Sequence, residues 1–111
     1  MKIKNLIITF VSAIALLLST STISFAKVVG DKIILGAAVS LTGKYSTNGK
    51  HTQNGYNMAV ERINSMGGVK VGGKTYKFDI IYYDDESNSG RAAQLAERLI
   101  KQDGVHYMLG P

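Results

Sequence analysis

Between residues 67 and 76 the chain reads "GGVKVGGKTY", and Gly68 to Thr75 satisfies the pattern G-x-x-x-x-G-K-[ST] at every specified position. That spacing suits phosphate binding. Backbone N–H groups of a glycine-rich loop cradle the phosphates, the lysine reaches their outer oxygens, and the Ser or Thr hydroxyl binds Mg²⁺. The chemistry holds only where the loop leaves a buried strand and opens a helix, so that the helix N-terminus faces the anion. A second chemical cluster is Asp84-Asp85-Glu86, three acids that could hold Mg²⁺. The third is Ser40 to Asn48, a stretch dense in hydroxyl and amide groups with Tyr45 among them and no strong acid or base. His51 and His106 stand alone, without a second His or Cys at a ligand spacing, and are assigned structural or solvated roles.

The elements around these clusters decide between the readings. Ile33 to Val39 is short and continuously apolar, as a strand covered on both faces would be. Ser40 to Lys50 reads as a loop by its Gly, Ser, Thr and Asn content. From about Thr52, the residues Tyr56, Ala59, Val60, Ile63 and Met66 form one helical stripe that stops at Gly67-Gly68. Thr75 to Asp84 alternates and is rich in aromatic and β-branched residues, which predicts a second strand. Ala92, Leu95, Ala96, Leu99 and Ile100 make a second helical stripe, closed by Gly104, and Val105 to Leu109 is a third apolar run. The order is β-α-β-α-β.

In that order the Gly68–Thr75 match follows a helix and precedes a strand, the reverse of what phosphate binding requires. It is expected to be a hairpin turning at Gly72-Gly73. The acids at Asp84 to Glu86 stand before a helix, where its macrodipole favours them without any metal. No metal and no cofactor are expected.

Composition narrows the class further. The chain has 111 residues, no cysteine and a formal net charge of +5. Lys2 and Lys4 precede an apolar run from Leu6 to Leu18, and the stretch closes on Ser24-Phe25-Ala26. These are the parts of a secretory signal peptide cleaved after Ala26, which removes two of the positive charges. The apolar run is too short to span a bilayer comfortably. The remaining surplus is scattered, so nucleic acid is set aside as a partner. Lack of cysteine excludes a disulfide framework, a thiolate metal site and a lipid-modified N-terminal Cys, and points to a bacterial periplasm. Residues 27–111 make a marginal core, and an apolar run stops at Pro111. They are expected to be the front part of a longer protein.

Strands alternating with helices imply a doubly wound α/β fold with a mostly parallel sheet and right-handed crossovers. With strand order 2-1-3 the two helices cover opposite faces, and a ligand binds beyond the carboxyl ends of the central strands. Those ends are the loop after Val39 and the loop that begins at Gly110.

The motifs "LGAAVSLTGKYSTNG", "AVERINSMGGV", "YYDDESN" and "GVHYMLGP" together resemble the leucine/isoleucine/valine-binding protein family, the substrate-binding proteins of branched-chain amino-acid ABC transporters. The resemblance covers the whole chain after the leader. It implies that residues 27–111 are the start of the first ligand-binding lobe of a two-lobed, type I periplasmic binding protein that takes up an amino acid or similar small molecule and delivers it to a membrane ABC permease. A receptor's ligand-sensing domain is the nearest alternative, and no enzymatic role is implied. Ligand contacts carry over onto Ser40, Leu41, Thr42, Tyr45 and Asn48 in the first loop and onto Gly110 in the second. Where the family often places an aromatic residue before the glycine matching Gly49, this chain has Asn48, which weakens the expectation of a branched apolar ligand. Asp84 and Asp85 match the family's acidic pair and are assigned a structural role.

Overall fold

A computed structural model describes residues 26–111; the leader assigned to residues 1–26 lies, but for Ala26, outside the described residues. The elements are β1 (Val28–Val29), β2 (Lys32–Val39), α1 (Ser46–Ser65), β3 (Val69–Val71), β4 (Lys74–Asp84), α2 (Ser89–Lys101) and β5 (Tyr107–Leu109). They form one five-stranded sheet with a helix on each face.

The centre of that sheet is β2. It pairs in parallel with β4 along its whole length, from Lys32↔Lys77 to Val39↔Asp84. On its other edge Leu35, Gly36 and Ala37 pair in parallel with β5. The expected second, first and third strands therefore lie in the order 2-1-3, as β4-β2-β5. β1 was not foreseen, because two valines give no periodicity. It folds back antiparallel on Lys32 and Ile33 through a turn in which Gly30 takes a φ of 64°.

Alternation along β2 sends successive side chains to opposite helices. Ile34 packs with Leu99 of α2 and with Val105, backed by Ile81 and Tyr83 of β4; this is the tightest part of the core, with Leu99 fully buried. Gly36 belongs to the same face. A Cβ there would lie 3.0 Å from Val105 and 3.2 Å from Leu99, so the glycine lets α2 settle close to the sheet. Val105 joins this core ahead of β5, which is why the third apolar run contributes a strand only from Tyr107. Ile100, expected on the buried stripe, is about half exposed, since one step beyond Leu99 turns it to the helix flank. On the opposite face Ile33, Leu35 and Phe78 meet Tyr56, Val60 and Ile63 of α1 across an open apolar groove of about 530 Å³.

The helix ends follow local chemistry. Asn88 caps α2 by accepting from the Arg91 amide at 2.9 Å, and Glu97 pairs with Lys101 one turn apart at 2.6 Å. α1 ends where the Gly68 amide donates to the Ile63 carbonyl, with Gly67 and Gly68 at φ of 100° and 82°. Asn64 then ties this end of α1 to β4. Its side-chain amide donates to the Phe78 carbonyl at 2.9 Å and its oxygen accepts from the Phe78 amide at 2.8 Å. The pair satisfies the β4 edge at Phe78, two residues beyond Tyr76, the partner of Val69 at the start of β3.

The Gly68–Thr75 segment is a hairpin. Val71 pairs with Lys74 across Gly72-Gly73, which sit at φ of 58° and 78° as a two-residue turn of this hand requires. Lys74 and Thr75 enter β4, and no helix N-terminus follows them. The segment lacks the context that gives its motif phosphate chemistry.

Candidate functional site

The carboxyl ends of β2 and β5 lie side by side, and the chain leaving β2 turns into α1 within six residues. Composition placed the start of α1 near Thr52; the helix begins at Ser46. The reason is a tertiary contact. A Cβ on Gly49 would fall 1.8 Å from the Ser40 carbonyl oxygen, so only glycine lets the first turn of α1 lie against the end of β2. That packing overrides the weak helix propensity of the Ser46–Lys50 stretch.

Between these elements is an open pocket of about 190 Å³ lined by Ser40, Tyr45, Asn48, Gly49, Thr52 and Pro111. It sits at the N-terminal end of α1, where the helix macrodipole is positive. Tyr45 is half exposed at the rim, with the Lys44 ammonium 4.7 Å from its ring centre. Its lining residues carry hydroxyl, phenol and amide groups beside apolar surface of similar extent. Such a wall can hold a small polar molecule by several converging hydrogen bonds.

Of the residues expected at the site, Ser40, Tyr45 and Asn48 line this pocket together. Leu41 and Thr42 are not among its lining residues. Their amides donate to Asp84 Oδ1 at 2.9 and 3.1 Å, and the Thr42 hydroxyl donates to Asp84 Oδ2 at 2.7 Å. Gly110 stands beside the pocket, its carbonyl accepting from the Tyr56 hydroxyl at 2.9 Å, and Pro111 forms the wall. Gly49 and Thr52 were not among the expected residues. Thr52 lies one helical turn after Asn48, a relation visible in the sequence once α1 is started at Ser46.

The acids at the end of β4 are engaged by the chain itself. Ser40 Oγ donates to Asp85 Oδ1 at 2.6 Å, and the Ser87 amide donates to the same oxygen at 2.8 Å; Asp85 is almost fully buried. Asp84 also accepts from the Glu86 amide at 2.9 Å. The Thr42 hydroxyl above all, and the amides of Glu86, Thr42 and Leu41, hold the Asp84 carboxyl below its ordinary value against the opposing effect of desolvation. Tyr82, by contrast, is pushed up by burial and by nearby Tyr56, and donates to Asn57 at 2.8 Å. Among the described residues no group of three or more His, Cys, Asp or Glu is placed to hold a metal ion.

Comparison with known proteins bears on the fold. Residues 32–111 match the family described as Periplasmic binding protein, and the chain belongs to that family. It is similar to the substrate-binding protein LivJ of a branched-chain amino acid transporter from Streptococcus pneumoniae, solved in complex with isoleucine, at 29% identity and a TM-score of 0.63 over 72% of this chain and 22% of that one. A putative branched-chain amino acid ABC transporter protein from Silicibacter pomeroyi matches at 28% identity and a TM-score of 0.63, over 72% and 19% of the two chains. A solute-binding protein of an ABC transporter from Rhodopseudomonas palustris BisB5, in complex with 3,4-dihydroxybenzoic acid, matches at 29% and 0.55, over 70% and 20%. The chain spans about a fifth of the length of these proteins.

Proposed function

We propose that this chain supplies the first part of the ligand-binding lobe of an extracytoplasmic solute-binding protein, which carries an amino acid or similar small molecule to an ABC permease. The observation that carries the reading is the pocket at the switch point of the sheet, where Ser40, Tyr45, Asn48 and Thr52 converge beside the positive end of α1. A carboxylate-bearing ligand suits that end of a helix. Isoleucine and 3,4-dihydroxybenzoate, held by two of the similar proteins, share a carboxylate although they differ in everything else.

We further propose a periplasmic setting, which the family and the leader expected at residues 1–26 support. We place residues 27–111 at the start of the mature lobe, with the rest of the pocket supplied by further chain and by a second lobe. A thermal-shift screen of the full-length protein against the amino acids and a set of small aromatic acids tests the proposal. A ligand at a hundred times its Kd stabilises the folded state by about 2.7 kcal/mol. A folded protein that no member of the set stabilises would count against solute binding of this class.

A further inference from the structure

The loop Ser40–Tyr45 has little to hold it from within: the Leu41 amide reaches back to the Val39 carbonyl and the Ser46 amide to the Gly43 carbonyl. Its shape is imposed from the neighbouring strand end. Six side-chain hydrogen bonds join it to Asp84, Asp85 and Ser87: those from Ser40, Leu41 and Thr42 already described, one from the Tyr45 amide to Ser87 Oγ at 3.0 Å, and one from Ser87 Oγ to the Thr42 carbonyl at 2.7 Å. Ser87 thus bridges the two ends of the Thr42–Tyr45 turn. To aim its hydroxyl there, Glu86 and Ser87 both adopt left-handed backbone, at φ of 55° and 62°, a conformation that non-glycine residues seldom take. Gly43 completes the fit, since a Cβ on it would lie 2.7 Å from Ser87 Oγ and 2.8 Å from the Glu86 carbonyl.

None of Asp84, Asp85, Glu86 or Ser87 lines the pocket. We infer that Asp84 and Ser87 are positioning residues for ligand binding: they fix the Ser40–Tyr45 loop in its binding shape from the adjacent strand end, and set affinity without touching the ligand. This rests on the solute-binding reading above. A loop already held in its bound form loses less conformational freedom when the ligand arrives, and that saving appears as affinity.

The test uses the full-length protein and the variants Asp84→Ala, Asp84→Asn and Ser87→Ala, with two readouts. The first is amide hydrogen exchange at Leu41, Thr42 and Tyr45, compared with Ala37 and Val39 in β2. The second is affinity for isoleucine. Asp84→Ala is expected to speed exchange at Leu41 and Thr42, and Ser87→Ala at Tyr45, by about tenfold or more, with β2 unchanged and isoleucine binding weakened by about tenfold. Asp84→Asn, which keeps an oxygen where the two amides donate, is expected to recover most of both. Unchanged loop exchange overturns the inference, as does an affinity loss that appears only together with loss of protection in β2. Exchange decides the clamp whether or not isoleucine binds; where the wild-type protein does not bind it, affinity is read with the amino acid or aromatic acid that stabilises the full-length protein most, and failure of that whole set tells against the function and not against the clamp.

Discussion

At the residue scale, Gly49 is the most constrained position near the pocket. Any side chain there meets the Ser40 carbonyl, which is backbone and cannot swing aside. Gly49→Ala is therefore expected to displace α1 and to destabilise the full-length protein by about 3 kcal/mol, the upper end of ordinary overpacking costs. Urea unfolding followed by circular dichroism measures it. Asp84 makes a pH-dependent contribution whose sign follows from its depressed pKa. In the unfolded chain it titrates near the ordinary value, about 3.9, and in the folded chain below that. Its stabilisation is present in full above the unfolded value and is lost as pH falls through the folded one. The neighbouring charges are Asp85, held by Ser40, and the Glu86–Arg91 pair at 3.2 Å. Amide signals of Leu41 and Thr42 are thus expected to keep their positions from neutral pH down to about 4 and to move below it, and Asp84→Asn to remove that step.

Elements were legible in the sequence where one physical pattern dominated. The continuous apolar run gave β2, the alternation gave β4, and the glycine pair gave the hairpin; each is set by local periodicity or turn chemistry. The start of α1 was misplaced because Ser46 to Lys50 has loop composition, while the contact that makes it helical, Gly49 on Ser40, is between elements and leaves no local mark. The site was only half legible for the same reason. Ser40, Tyr45 and Asn48 stand in the Ser40–Asn48 stretch that topology places at the pocket, but Thr52 needed the correct helix start, and the turning of the Leu41 and Thr42 amides toward Asp84 needed the strand pairing. Asn64 shows an element joint that composition hides. Its amide closes the β4 edge at Phe78, and Asn64→Ala is expected to cost about 1–3 kcal/mol, because it strips partners from half-buried backbone groups. A smaller shift than 0.5 kcal/mol in chemical denaturation would show that water replaces it. Lys74, in contrast, starts β4 exposed, its ammonium 5.3 Å from the Tyr76 ring centre. Lys74→Ala is expected to change stability by less than about 0.5 kcal/mol and to leave ligand binding intact. Saturable, Mg²⁺-dependent ATP binding lost with Lys74 would contradict the hairpin reading.

For the whole molecule, the family supplies the frame and the pocket supplies the chemistry. One face of the sheet is sealed by α2, while the other keeps an apolar groove under α1, and the candidate pocket beside β2 and β5 is open. A zwitterion or carboxylate leaves water only when several hydrogen-bonding groups replace it, and on the proposed function this wall would provide one side of such a cage. The most direct test is calorimetric titration of the full-length protein with the ligand that stabilises it most, in the wild-type form and as Tyr45→Ala and Asn48→Ala. The account predicts binding by the wild type, a loss of at least about 1 kcal/mol in each variant with its fold preserved, and no measurable binding to residues 27–111 alone. Full affinity in both variants, or tight binding by residues 27–111, would contradict it.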